Sequence, residues 1–172
     1  MIESNLMKKF KYFDRRRGQA IAEFAIALPI LLLILVGLFE VGRMVFIYSA
    51  VTNGSRNAVR YASAVGEGSD GLTKYNNCAR IKEIAENSAY LAPVTSVVIT
   101  YDDGTGVALS GDSNCDVWTS GSVDTGISVS SGDRVTVEVT AQYKPMVSLI
   151  PFTPRDIVSK NSRTIFGIID LP

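Results

Sequence analysis

The sequence predicts an α+β protein whose long N-terminal helix first spans a membrane and then continues into a small extracytoplasmic domain. That domain is expected to hold one further helix and an antiparallel sheet. Three observations support this class: an apolar run from Ala20 to Phe39, a helical spacing that continues past it, and strict alternation of valines before Tyr143. Helices followed by a run of strands are typical of α+β domains. We expect a basic leader peptide at 1–18, a transmembrane helix at 19–42, its extracytoplasmic continuation at 43–66 and the α+β domain at 67–172.

The leader has an excess of positive charge. Residues 1–18 hold six basic and two acidic side chains, a net of +4, and the remainder of this neutral chain therefore carries −4. The six are Lys8, Lys9, Lys11, Arg15, Arg16 and Arg17. An acidic remainder argues against nucleic-acid binding, whereas a basic tail before an apolar run is typical of the cytoplasmic side of a membrane span. The leader itself fits either an amphipathic helix on the membrane surface or an unstructured tail.

The apolar run is long enough to cross a bilayer. A helix needs about 20 apolar residues to span a hydrocarbon core of about 30 Å, and Glu23 is the only charge between Ala20 and Phe39. Because the basic residues are N-terminal, the N-terminus should stay cytoplasmic. A cleaved signal peptide is less favoured, since the run contains Glu23 and no small-x-small site follows it. Pro29 removes one helical hydrogen bond and predicts a kink.

The helical pattern continues after Glu40 and Arg43, which mark the outer boundary of the span. Small and apolar residues recur there at spacings of three and four, the period of an amphipathic helix. They are Met44, Tyr48, Val51, Ser55, Ala58, Ala62 and Val65. Gly54 is expected to weaken this helix by up to about 1 kcal/mol. The glycine-rich segment 66–71 is expected to end it.

The remaining residues predict one helix and three principal strands. The helix is expected over 72–92, ended by Pro93. Strands are expected over 94–101, 133–143 and 159–169, the second with one buried and one wet face. Residues 102–132 are rich in Gly, Ser and Asp and predict loops with short strands, and residues 144–154 form an apolar, proline-punctuated segment.

The composition does not favour an enzyme, a cofactor or a metal site. Histidine is absent, which removes the commonest general base and transition-metal ligand. No nucleophile elbow or phosphate loop occurs, and Ser159 and Lys160, as strand neighbours, point to opposite faces. Calcium binding in the long loop is an alternative, although the EF-hand spacing is missing. Its candidate ligands are Asp102, Asp103, Asp112 and Asp116.

Two cysteines, Cys78 and Cys115, follow the apolar run. If that side of the membrane is extracytoplasmic, a disulfide between them is the default expectation.

The junction Arg15-Arg16-Arg17-Gly18 with Glu23 five residues later resembles the processing site of type IV prepilins. Such prepilins carry a basic leader that ends in glycine, are cut after it, and have glutamate at the fifth mature position. The resemblance implies cleavage after Gly18 by a prepilin peptidase and a new N-terminus at Gln19, whose amine would pair with Glu23. Two simpler interpretations stay open: Glu23 could reach the headgroups beside Arg17, and Gly18 could be a flexible joint.

More closely, the segment 18–29, with Phe24 after the glutamate and Pro29 at its end, resembles the TadE-like pseudopilins of tight-adherence (Tad or Flp) pili. Residues 39–42 are also similar to that family. The resemblance implies a minor pseudopilin in the cytoplasmic membrane, spanning it once, with other pilins, pseudopilins and the Tad assembly platform as partners. The chain is long for a major subunit. An uncleaved, membrane-anchored binding domain is the alternative.

Overall fold

The computed structural model describes residues 3–69, 71–109, 129–146 and 153–166, with side chains from Gly18 onward. Its helices and strands are α1 (Glu3–Ala62), α2 (Cys78–Ser88), β1 (Val94–Asp102), β2 (Arg134–Tyr143) and β3 (Arg155–Thr164). This confirms the predicted α+β class. The chain divides into two compact units, Met1–Gly42 and Arg43–Pro172.

The first unit is the N-terminal part of α1. The helix begins at Glu3, so the described part of the leader is helical rather than unstructured. Pro29 lies inside the helix, which continues on both sides of it. Every side chain from Gly18 to Leu35 is exposed. In water such an apolar surface would be strongly unfavourable, so this unit has the surface of a helix surrounded by an apolar medium.

In the second unit, one face of α1 belongs to the hydrophobic core. The buried residues recur at helical spacing and include Ile47, Val51, Ala58, Val59 and Ala62. The predicted stripe is therefore only partly right, because Met44, Tyr48 and Val65 are about half exposed. The helix also ends at Ala62, four residues before the expected loop at Gly66.

The sheet is antiparallel with the order β1-β2-β3. The central strand β2 has the predicted buried face, because Val135, Val137, Val139 and Ala141 are all fully buried, but Thr136 on the face predicted to be wet is buried as well. Strand β1 adds buried side chains on the same face, with Ile99 paired to Val137. The valine-rich face of β2 is thus the centre of the core.

Strand β3 lies four residues earlier than predicted, over Arg155–Thr164 rather than 159–169, and residues 167–172 lie outside the described part. Its full length is paired with β2. The face of β3 that meets α1 is polar. The Asn161 amide donates to Ser55 Oγ at 2.6 Å, and the Ser55 and Ser159 hydroxyls are 3.1 Å apart. These contacts satisfy Ser55, which is fully buried, as buried polar groups require.

Helix α2 is shorter than the predicted 72–92. It begins at Cys78 because the side chain of Asn77 caps it, accepting a hydrogen bond from Arg80 N at 3.0 Å. The preceding residues form a loop closed by a bridge between Glu67 and Thr73, with Gly71 at a φ of 76° that favours glycine. The capping residue, rather than the apolar spacing, therefore fixes the start of the helix.

Tyr101 ties that loop to the sheet. Its hydroxyl donates to the carbonyl of Tyr75, and burial raises the pKa of the phenol. A buried hydroxyl with a backbone partner holds the loop against β1 without an unsatisfied polar group.

Helices α1 and α2 are in close contact at Gly54. A Cβ added to Gly54 would lie 2.7 Å from the carbonyl oxygen of Ala85 and 3.0 Å from the Cβ of Ala89. Backbone cannot move aside as a flexible side chain can, so this position requires glycine. Gly54 lowers the helix propensity of α1, as expected from the sequence. Its lack of a side chain permits the close packing of the two helices.

We expect Gly54→Ala to lower the melting temperature of the detergent-solubilised full-length protein. Overpacking typically costs about 1–3 kcal/mol, more than the roughly 1 kcal/mol that alanine gains in helix propensity. The matched control is Gly42→Ala in the same helix, where an added Cβ meets nothing within 4 Å. Thermal unfolding followed by circular dichroism should show destabilisation only at Gly54. An equal rise in melting temperature for both variants would show that the helices can separate without loss.

Candidate processing and assembly segment

The candidate site begins at Gly18, inside α1. Gly18 and Gln19 are exposed, and a Cβ added to Gly18 would meet no heavy atom within 4 Å. Glycine in a helix interior costs about 1 kcal/mol relative to alanine. Packing therefore explains Gly54 but does not explain Gly18.

Glu23 lies one helical turn after Gln19. Residues four apart share a helix face, so the Glu23 carboxylate and the backbone of Gln19 are on the same side of α1. Glu23 is exposed and Phe24 beside it is 63% exposed. None of the ion pairs found among the side chains described from Gly18 onward includes Glu23. The segment therefore presents one carboxylate on its surface.

The surface around Glu23 is apolar. One helical segment in the described part of the chain, Gly18–Ala62, is long and apolar enough to cross a membrane. Only 6% of its most apolar window is buried inside the protein. A core helix of a soluble domain would be mostly covered, so this exposure fits a helix surrounded by lipid.

Comparison with known protein families bears on this same segment. Residues 18–60 match the family model of TadE-like proteins. The resemblance inferred from the junction is thereby confirmed over this segment. The TadE-like segment begins at Gly18 and ends two residues before α1 does. No curated protein and no solved structure matches the chain.

The roles predicted for several site residues stay predictions. The side chains of Arg15, Arg16 and Arg17 lie outside the described part, so their role in topology stays a prediction. The cleavage after Gly18, the pairing of Glu23 and the kink at Pro29 also stay predictions.

The sequence analysis identified Arg43 only as a boundary of the span, but the structure gives this residue a further role. Arg43 Nη1 donates to the carbonyl of Lys144 at 2.7 Å, and its guanidinium lies 5.5 Å from the centre of the Tyr143 ring. This cation–π geometry and the hydrogen bond fix the end of β2 to the start of the second unit. The sequence gives no signal for this contact, because the two partners are 101 residues apart.

The acidic loop considered for calcium binding has internal partners. Asp103 Oδ1 accepts hydrogen bonds from the hydroxyl and the amide of Thr105, at 2.7 and 2.9 Å, and these lower the pKa of the Asp103 carboxyl. Asp102 forms an ion pair with Arg134 at 3.0 Å. No group of three potential ligands that could hold a metal ion occurs among the described residues. Asp112 and Asp116 lie outside them.

Cys78 begins α2, is buried, and is disulfide-bonded. Cys115 lies outside the described residues, so its pairing with Cys78 stays a prediction. Such a bridge would attach the long Gly-, Ser- and Asp-rich segment to the helix that packs against Gly54.

We expect the purified, non-reduced protein to have no thiol that reacts with an alkylating agent, and peptide mapping to yield a linked Cys78–Cys115 pair. A loop of about 38 residues closed by a disulfide contributes on the order of 4 kcal/mol in the chain-entropy model, so reduction should lower the melting temperature. A Cys78→Ala/Cys115→Ala variant is the control and should not respond to reductant. Two free thiols, or a dimer linked through Cys78, would contradict the pairing.

Proposed function

We propose that this chain is a TadE-like minor pseudopilin, cut after Gly18 by a prepilin peptidase, that helps initiate or assemble a Tad pilus. The observation that carries the proposal is an exposed apolar stretch of α1 from Gly18 to Leu35 that bears one carboxylate, Glu23, and lies within the TadE-like segment. In the proposed topology the N-terminus is cytoplasmic and the second unit is extracytoplasmic, as the basic leader favours.

The surroundings of Gly18 support a role in processing. No neighbour within 4 Å requires a glycine there, yet glycine weakens the helix. A peptidase must bind its substrate in an extended form, and glycine both lowers the free energy of unwinding and lets the backbone enter a cleft without a side chain. The property that makes Gly18 a poor helix residue thus makes it a good residue before a scissile bond.

The surroundings of Glu23 support a role in assembly. A carboxylate at the centre of a membrane helix costs about 2.5–3.5 kcal/mol on insertion scales, and less near the interface. Cleavage after Gly18 would create an ammonium at Gln19, on the same helix face as Glu23. In an apolar environment the attraction between such charges is much stronger than in water, so either the same chain's amine or that of a neighbouring subunit is a suitable partner.

An uncleaved, membrane-tethered binding domain is the second candidate. It is favoured by the second unit, which has its own core and could bind a partner while α1 serves only as an anchor. An anchor needs apolar length but neither a glycine at 18 nor a carboxylate at 23. Substitutions at these two residues therefore separate the two functions.

Gly18→Glu should leave a full-length precursor in cells that contain the prepilin peptidase. A side chain at the scissile bond would obstruct the cleft, while the helix itself should tolerate the change because the site is open and glutamate is the better helix former. Immunoblotting and mass spectrometry of the mature N-terminus measure the result. In the wild type we expect Gln19 as the first residue.

The matched control is Gly42→Glu, the same substitution at another exposed helix glycine, and this variant should be cut normally. A wild-type chain that keeps its leader in peptidase-containing cells, with the same gel mobility as Gly18→Glu, would favour the tethered domain.

Glu23→Ala should be synthesised, inserted and cut, yet fail to support piliation. Leaving one member of a buried charge pair without its partner typically costs about 3–5 kcal/mol, enough to reduce an assembly equilibrium more than a hundredfold. For a simple anchor the same change would be neutral or favourable to insertion. Pilus yield is counted by electron microscopy, with processing checked in the same cells.

Two further variants separate charge from size. Glu23→Gln keeps the size without the charge and should behave like Glu23→Ala, whereas Glu23→Asp keeps the charge and should retain part of the piliation. Normal pilus numbers with Glu23→Gln would rule out the charge pair as the basis of assembly.

A further inference from the structure

The first residues of the second unit expose apolar side chains on the protein surface. Met44, Val45, Phe46 and Tyr48 are 49%, 60%, 49% and 58% exposed. We call these four residues the collar. In a domain surrounded by water, the outward face of a helix is expected to be polar. Along α1 this is true only later, where Asn53, Arg56, Asn57 and Arg60 are the exposed residues.

The apolar surface of the collar is not a stripe. Successive helix residues are about 100° apart, so Met44, Val45 and Phe46 point in three different directions. A single partner helix covers one face, and the matching sequence pattern is a stripe at spacings of three and four. Since Ile47 in the same turn is buried in the core, these three directions make up the side of the helix that faces away from the protein, and a continuous apolar surface over that whole side fits contact with lipid.

The depth of the collar agrees with the outer headgroup layer. If Glu23 lies at the inner edge of the hydrocarbon, the next 20 residues span its thickness of about 30 Å and end at Arg43. The collar then covers about 7 Å more, which matches a headgroup layer of about 5–8 Å on that side. Tyr48 is the last collar residue, and tyrosine is enriched at this interface.

The side chain of Arg43, directly before the collar, is turned toward the rest of the second unit. Arg43 donates to the carbonyl of Lys144 and lies over the Tyr143 ring, and both of these partners belong to the second unit. That contact also places the end of β2 beside the collar. Met146, two residues beyond Lys144, is 69% exposed, and Lys144 is itself exposed. An apolar side chain beside an ammonium group suits an interface with lipid chains and phosphate headgroups.

We propose that the collar, together with Lys144 and Met146, is a second lipid-contact surface that seats the second unit in the outer headgroup layer. The occupant of this surface is the bilayer in which α1 is anchored, and the proposal rests on the membrane anchoring in the proposed function. Water begins beyond Tyr48, where the exposed residues of α1 become polar.

Three single-tryptophan variants of the full-length protein test this in phosphatidylcholine vesicles. Each is made in a Trp118→Phe background: Leu33→Trp in the span, Tyr48→Trp in the collar, and Arg60→Trp, which lies about 18 Å further along the helix. All three positions are exposed, so the substitutions should not disturb the core. The quenchers are a nitroxide on the lipid headgroup and bromine in the middle of the acyl chain.

We expect the headgroup nitroxide to remove at least half of the Tyr48→Trp emission and to leave Arg60→Trp unchanged. Acyl-chain bromine should quench Leu33→Trp most strongly.

If Leu33→Trp is quenched while Tyr48→Trp behaves like Arg60→Trp, the collar lies in water and the inference is overturned, although the membrane anchoring is supported. If the Tyr48→Trp emission is not quenched and shifts to shorter wavelength only at high protein density, the surface binds a second copy of the chain. That result would also overturn the inference. If even Leu33→Trp is not quenched, the membrane anchoring itself fails, and the inference with it.

Discussion

The close approach of α1 to its neighbours in the second unit is the constraint on which the domain depends. Gly54 lets the carbonyl of Ala85 lie against the α1 backbone, and Ser55 one residue later fits beneath β3 and bonds to it. Larger residues at either position would push an element away from the valine-rich face of β2. Strand β2 contributes the centre of the core, and α1, α2 and β1 all contribute buried side chains around it.

The same helix therefore meets two environments with two kinds of surface. Up to the collar its exposed side chains are large and apolar, with many contacts available to lipid. In the second unit its buried side chains are mostly small, which suits contact with a sheet and a second helix. Arg43 lies where the two surfaces meet, and its guanidinium contacts a backbone carbonyl and an aromatic ring.

Sequence reasoning predicted the features that depend on local patterns. The apolar run, the alternation in β2 and the Gly18–Glu23 junction are all visible in adjacent residues, and the α+β class follows from their order. It was less accurate where a distant partner decides the outcome. Met44 and Tyr48 fit the helical stripe but lie outside the core, α2 starts at the capping residue Asn77, and β3 extends as far as its pairing with β2. The reason for Gly54 could not be predicted, since it needs the position of Ala85. For the candidate site, adjacent residues suggested Gly18 and Glu23. Only the structure shows that both are exposed and that no neighbour requires a glycine at position 18.

The polar contact between α1 and β3 has a consequence for the order in which the molecule is made. Ser55 and its partner Ser159 are 104 residues apart, and β3 is the last strand of the sheet. During synthesis the core face of α1 emerges before any strand that will cover it. That face stays uncovered until about a hundred more residues have been synthesised, a situation in which exposed apolar surface favours aggregation. Its small side chains limit how much such surface is presented in the interval, and the polar Ser55 keeps its centre wettable. A nascent chain paused before β3 is therefore the state in which this protein would most need a chaperone.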